Sequence, residues 1–229
     1  MSINKILCVG DGFAHGHIWP EWPQLLQALF PNREITVISG IGAGAEYLVS
    51  EFAHCLPVSG TVIFQWPDAQ RLDKIIEDDH WRQAVASDPV YHFNTYQRHN
   101  NDWWLSSASH NPEVQHYHRH YIQPKQAQNR LWTYQQLVQQ ILEKSHCDYV
   151  FTSTQEQELH SQLRPEIRGK EIQPQPLSHF YFLKEKIMPA LNLNSVHESA
   201  LENLLKQQHW QAYDPDRQEI WQKIKDKLI

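Results

Sequence analysis

The sequence predicts an α/β fold built on a parallel sheet, and three observations carry that reading. Short runs rich in Ile, Val, Leu or Phe stand at Lys5–Val9, Glu34–Ser39 and Thr61–Trp66, each ending in glycine or another breaker. Between them, apolar residues recur at three- and four-residue spacing, as on the buried stripe of a helix. Strand and helix therefore alternate, which implies right-handed βαβ units and parallel pairing.

The elements follow in order. Trp22, Leu25, Leu26, Leu29 and Phe30 mark the first helix, and Ala45, Leu48, Val49 and Phe52 the second. From Asp78 to about Pro124 the period is lost among His, Asn, Trp and Tyr. Residues 78–124 are expected to form an irregular insertion with short helices, lying over the sheet. A long helix is predicted over Lys125–Lys144, with Ala127, Leu131, Tyr134, Val138, Ile141 and Leu142 on one face. Asp148–Ser153 is the next strand. Arg164–Ser178 holds three prolines and reads as a connecting loop. Ser195-Val-His-Glu198 is a capping box opening a helix to about Gln208. Asp214-Pro215 reads as an N-cap with proline in the first turn of a last helix carrying Ile220, Trp221, Ile224 and Leu228. No internal repeat is visible, so residues 1–229 are expected to form one domain with one insertion.

Composition narrows the classes. The 229 residues are 41% hydrophobic, enough for a core, and no apolar run approaches the roughly 18 to 20 residues of a membrane span. The run Ile6–Val9 is too short for a signal peptide, so a cytoplasmic location is expected. Cys8, Cys55 and Cys147 are odd in number and widely spaced, which reads as buried free thiols rather than a disulfide or metal framework. Lys and Arg total 20 against 26 Asp and Glu, a net charge of −6, which argues against a nucleic-acid partner. Membrane partners are not expected either.

In an open parallel sheet, ligands bind beyond the carboxyl ends of the strands. The residues there are Gly10-Asp11-Gly12, Gly40-Ile41-Gly42-Ala43-Gly44, Gln65-Trp66-Pro67-Asp68 and Ser153-Thr154. Two of these are glycine loops, whose N–H groups can approach a ligand closely and cradle an oxyanion. The second loop lacks GxGxxG spacing, and no Gly-Lys-Ser/Thr follows either, so nucleotide binding is not expected.

These blocks resemble those of the SGNH or GDSL hydrolases. ILCVGDGFAHG is similar to their strand and Gly-Asp-Ser turn, and ISGIGAGAEYL to the glycine turn after the second strand. VIFQWPDAQRLD resembles the third block of a divergent branch seen in phage and marine bacterial sequences, which carries a Trp and an Arg there. The aromatic insertion, long helix and DYVFTS strand also suit that branch. The resemblance implies a three-layer, flavodoxin-like fold with helices on both faces. It also implies esterase ancestry, with acyl esters, including those of carbohydrates, as ligands.

The departures define the functional expectation. The family's nucleophilic serine falls on Gly12, its third-block asparagine is absent with Gln65 the nearest amide, and Asp214-Pro-Asp216-Arg217 lacks the terminal histidine. Serine–histidine–acid catalysis needs a hydroxyl, a base and a group that orients the base. Carried over, the resemblance leaves Asp11 and Asp214 as candidate catalytic acids. Gly12, Gly42, Gly44, Gln65, Trp66 and Arg71 become a ligand or oxyanion cradle, with no cofactor. The expected function is a degenerate member that binds a small or acylated ligand without the usual hydrolysis.

Two alternatives compete. His15 and His17 with Asp11, or His116, His118 and His120, could hold a divalent metal that activates water; an extended HxHxH segment would put the last three on one face. Alternatively, the aromatic insertion is an assembly interface. A displaced triad could in principle use Ser39, Ser153 or Ser178 with His179, but each reads as structural, Ser39 pointing at a neighbouring helix. Arg71 also reads as an ion-pair partner of Asp68 or Asp73, and Trp66, Trp103 and Trp104 as packing.

Overall fold

The structure is a computed structural model that describes residues 5–15, 21–77, 83, 95–99, 101–106, 115–116, 119–120 and 122–153. It is a mixed α/β fold around a parallel sheet. In chain order the elements are β1 (Lys5–Gly10), α1 (Gly12–His15), α2 (Trp22–Leu29), β2 (Glu34–Ser39), α3 (Ala45–His54), β3 (Thr61–Trp66) and β4 (Leu72–Ile75). They continue with β5 (Thr95–Arg98), β6 (Asn101–Ser106), α4 (Pro124–Lys144) and β7 (Asp148–Ser153). The three-proline loop, the Ser195 capping box and the helix after Asp214 lie outside the described residues.

The main sheet has the order β2-β1-β3-β7, and every pairing in it is parallel. The chain moves from β1 to β2 on one side, then returns past β1 to reach β3. The order therefore reverses beside β1, and the carboxyl ends of β1 and β3 flank the crevice where such sheets bind ligands.

Strand sequence explains strand position. β1 and β3 are central and almost wholly buried, so both of their faces are apolar. Edge strand β2 exposes Glu34 and Thr36, and Lys5 of β1 pairs with Glu34 at 3.2 Å. Alternation sends Leu7 and Val9 with Val62, Phe64 and Trp66 into one core, where Tyr47, Leu48 and Phe52 of α3 meet Leu131, Val138 and Leu142 of α4. Each such side chain contributes about 1.5–3 kcal/mol on burial. The opposite face of β1 and β3 presents Ile6, Cys8, Ile63 and Gln65, all buried.

The insertion corrects the expected irregular segment. β5 and β6 form an antiparallel hairpin within it, and β6 also pairs with β4, giving a three-stranded sheet of order β4-β6-β5. Trp103 of β6 is buried, with its ring edge-on to Tyr47 of α3 at 5.6 Å between centroids. Cys55 corrects a second expectation: all three thiols are free, but Cys55 is exposed at the end of α3, while Cys8 and Cys147 are buried. No helix among the described residues is long and apolar enough to cross a membrane.

Candidate ligand site at the carboxyl ends of β1 and β3

Asp11 follows β1 directly and is fully enclosed, at 0% exposure. A buried carboxylate is tolerated only when it is paired, and here Gln65 and Arg71 are partners that flank it, with Trp22 fixing Gln65 in turn. Gln65 Nε2 of β3 donates to Asp11 Oδ1 at 2.9 Å. Arg71 Nη2, from the turn after β3, lies 3.1 Å from Asp11 Oδ2. Trp22 Nε1 of α2 donates to Gln65 Oε1 at 2.7 Å. An indole N–H can only donate, so it fixes the Gln65 amide with its oxygen towards Trp22 and its nitrogen towards Asp11. The resulting chain, Trp22 to Gln65 to Asp11 to Arg71, locks the first glycine turn in place.

That lock changes the roles expected of its members. Asp11 is an anchor for the turn rather than an acid open to a substrate. Both ends of the Gln65 amide are engaged, so it is not a free oxyanion donor. Arg71 pairs with Asp11, and not with Asp68 or Asp73 as the sequence suggests. Asp68 instead closes its own turn, where Oδ1 accepts the N–H of Gln70 at 2.8 Å and the carbonyl that of Arg71 at 3.1 Å.

The glycines separate into two kinds. A Cβ on Gly10 would stand 2.7 Å from Ala14 Cβ and 3.0 Å from Gln65 Oε1, so only glycine lets α1 fold back onto the strand end. Among the described residues, a Cβ on Gly12 would meet Gly42 N and Ile41 Cα, both in ordinary contact at 3.8 Å. Gly12 therefore accepts a Cβ without displacing the described backbone of the second glycine loop. That loop is a turn closed by Ala43 N–H to the Gly40 carbonyl at 3.0 Å, with Gly42 at φ 80°.

Gly44 does not join the cradle. Its N–H donates to Asp73 Oδ1 at 2.7 Å, and the Tyr47 N–H donates to Asp73 Oδ2 at 2.8 Å. Asp73 thus satisfies two of the orphan donors at the start of α3 from another element. Burial pushes its carboxyl up to about 7, against the lowering effect of the two N–H bonds. Nothing local marks this residue, because it caps a helix whose N-cap, Gly44, stands 29 positions earlier.

Trp66 belongs to the core, fully buried, stacked on Phe64 at 4.1 Å and edge-on to Phe151 at 5.5 Å. It cannot stack on a ligand from there. Cys8 offers no nucleophile either, since complete burial pushes its thiol far above the ordinary range.

Among the described residues no group of three or more His, Cys, Asp or Glu is placed to hold an ion. Residues 115–116 and 119–120 are helical rather than extended. Helical geometry instead brings His116 and His120, four apart, to 4.3 Å between ring centroids. His17, His118 and Asp214 lie outside the described residues. His15 is engaged elsewhere: its Nδ1 lies 3.2 Å from Ser39 Oγ at the end of β2.

Comparison of the chain with protein-family models, curated proteins and solved structures finds no match.

Proposed function

We propose that this chain is an SGNH-hydrolase-like protein that binds a small or acylated ligand, such as a carbohydrate ester, over Gly12. In this reading the fold is the three-layer, flavodoxin-like type. The strand order β2-β1-β3-β7 and the burial of both faces of β1 and β3 support it. The observation that supports the functional reading is that, among the described residues, a Cβ at Gly12 would meet nothing closer than Gly42 N and Ile41 Cα at 3.8 Å, at the crevice where the strand order reverses. The turn is held by a paired, buried Asp11, yet the position where the family has its hydroxyl offers none. In this reading the cradle is reduced to Gly12 and Gly42, and the family's route of hydrolysis from position 12 is lost.

Saturation-transfer NMR with p-nitrophenyl acetate and with an acetylated monosaccharide tests the reading. Binding is expected to be saturable and to weaken at least about tenfold in Gly12→Leu, which fills the space, with the circular-dichroism spectrum unchanged. An Asp214→Asn change is expected to leave binding and any turnover as they were, because no hydroxyl at position 12 depends on that acid. Unaltered binding by Gly12→Leu, or hydrolysis that collapses in Asp214→Asn, overturns it.

A further inference from the structure

Ser39 ends β2, directly beside Gly10 in the parallel register. The strand before it faces alternately to the two sides of the sheet, and Ile38 packs on the α3 and α4 side. Ser39 is therefore turned to the other side, where α1 follows the first glycine turn and carries His15. The hydroxyl and the imidazole meet, with Ser39 Oγ 3.2 Å from His15 Nδ1, and both residues are partly exposed. The pair stands where β2 runs into the glycine loop whose Ile41 and Gly42 border the space over Gly12. A hydroxyl, a base within hydrogen-bond reach and nearby backbone N–H groups are the parts an acyl transfer needs.

We infer that Ser39 and His15 form a nucleophile–base pair that accepts an acyl group from a small ester bound beside the glycine loops. The tautomer carrying its proton on Nε2 leaves Nδ1 as the acceptor for the Ser39 hydroxyl. Ser39 Oγ forms a bond to the ester carbonyl carbon and gives its proton to His15 Nδ1. The carbon–alkoxide bond then breaks, and the departing alkoxide takes that proton and leaves as the alcohol. Water adds to the acyl-serine with His15 again taking a proton, and Ser39 Oγ leaves as the regenerated hydroxyl with the free acid as product. This proposal rests on the preceding reading for the ester ligand and its location.

A fluorophosphonate probe reads the pair directly, since attack by Ser39 Oγ expels fluoride and leaves a stable phosphonyl-serine. Peptide mass mapping of the wild-type chain is expected to place the label on Ser39. Ser39→Ala should abolish it, and His15→Gln should slow it by about 100-fold or more, both with an unchanged circular-dichroism spectrum. A wild-type chain unlabelled at Ser39, or labelling there at the same rate in His15→Gln, overturns the proposal, and the wild-type mapping stands even if a variant misfolds. Saturable ester binding with no label at Ser39 would sink this proposal and leave the cradle reading standing, whereas labelling at Ser39 without saturable ester binding would sink the cradle reading and the ester as acyl donor, leaving only the reactive Ser39–His15 pair.

Discussion

Gly10 and Gly12 stand two residues apart and answer to different constraints. At Gly10, Ala14 Cβ and Gln65 Oε1 occupy the place of a side chain, so Gly10→Ala forces the Trp22–Gln65–Asp11 chain or α1 to shift. Overpacking of that kind costs about 1–3 kcal/mol. At Gly12 no atom of the described residues would stand closer than 3.8 Å to a Cβ, so Gly12→Ser is expected to change stability by no more than about 0.5 kcal/mol. Urea denaturation of the two variants measures the difference, and equal costs would show that the space over Gly12 is not there. The residues around this turn were partly legible in the sequence. Asp11, Gln65 and Arg71 stand at strand ends, where the sheet rule puts a site, and all three meet there. Their pairing was not legible, because it joins Asp11 to Gln65, 54 positions away, and to the still more distant Arg71, and is decided by which strands become neighbours.

Among the elements, the parallel strands and the helices that cover them were readable because burial leaves a local trace. β2, β3 and β7 begin and end where their apolar runs do. α4 buries Ala127, Leu131, Val138 and Leu142 at the expected spacing, with Gln135 an unforeseen polar member of that face. The hairpin left no such trace. β5 is TYQR, and the connection at His99 has no Asn-Gly or Asp-Gly signal, although His99 adopts φ 49°. Its stability comes from contacts outside the segment. Trp103 lies against Tyr47, while His99 at the turn packs on His54 at 3.8 Å and reaches the buried Glu51 at 3.4 Å. Trp103→Ala removes the largest of these contacts and is expected to cost about 3–5 kcal/mol in urea denaturation. A loss below about 1 kcal/mol would show that the antiparallel sheet is not part of the folded core.

For the whole molecule, Asp73 joins the two sheets through charge as well as packing, since it stands on β4 and holds the N-terminus of α3. Its carboxyl is raised from the ordinary 3.8 to about 7, by burial first and by Glu46, while the Tyr47 and Gly44 N–H groups and Arg71 lower it. Between those two values the folded chain holds a proton that the unfolded chain has released. The stabilisation from this group is therefore complete below about 4, shrinks as pH rises, and is gone above about 7. A shift of this size amounts to a few kcal/mol. Other carboxylates titrate in the same range, so the informative quantity is the stability of the wild type minus that of Asp73→Asn. Asparagine does not titrate, and it offers one oxygen to two N–H groups, so the variant carries a constant penalty at every pH. Urea denaturation from pH 4 to pH 8 should then show the difference falling steadily to about pH 7 and flattening beyond it. A difference that stays level, or rises with pH, would mean that Asp73 is already ionised across the whole range and caps α3 as a carboxylate throughout.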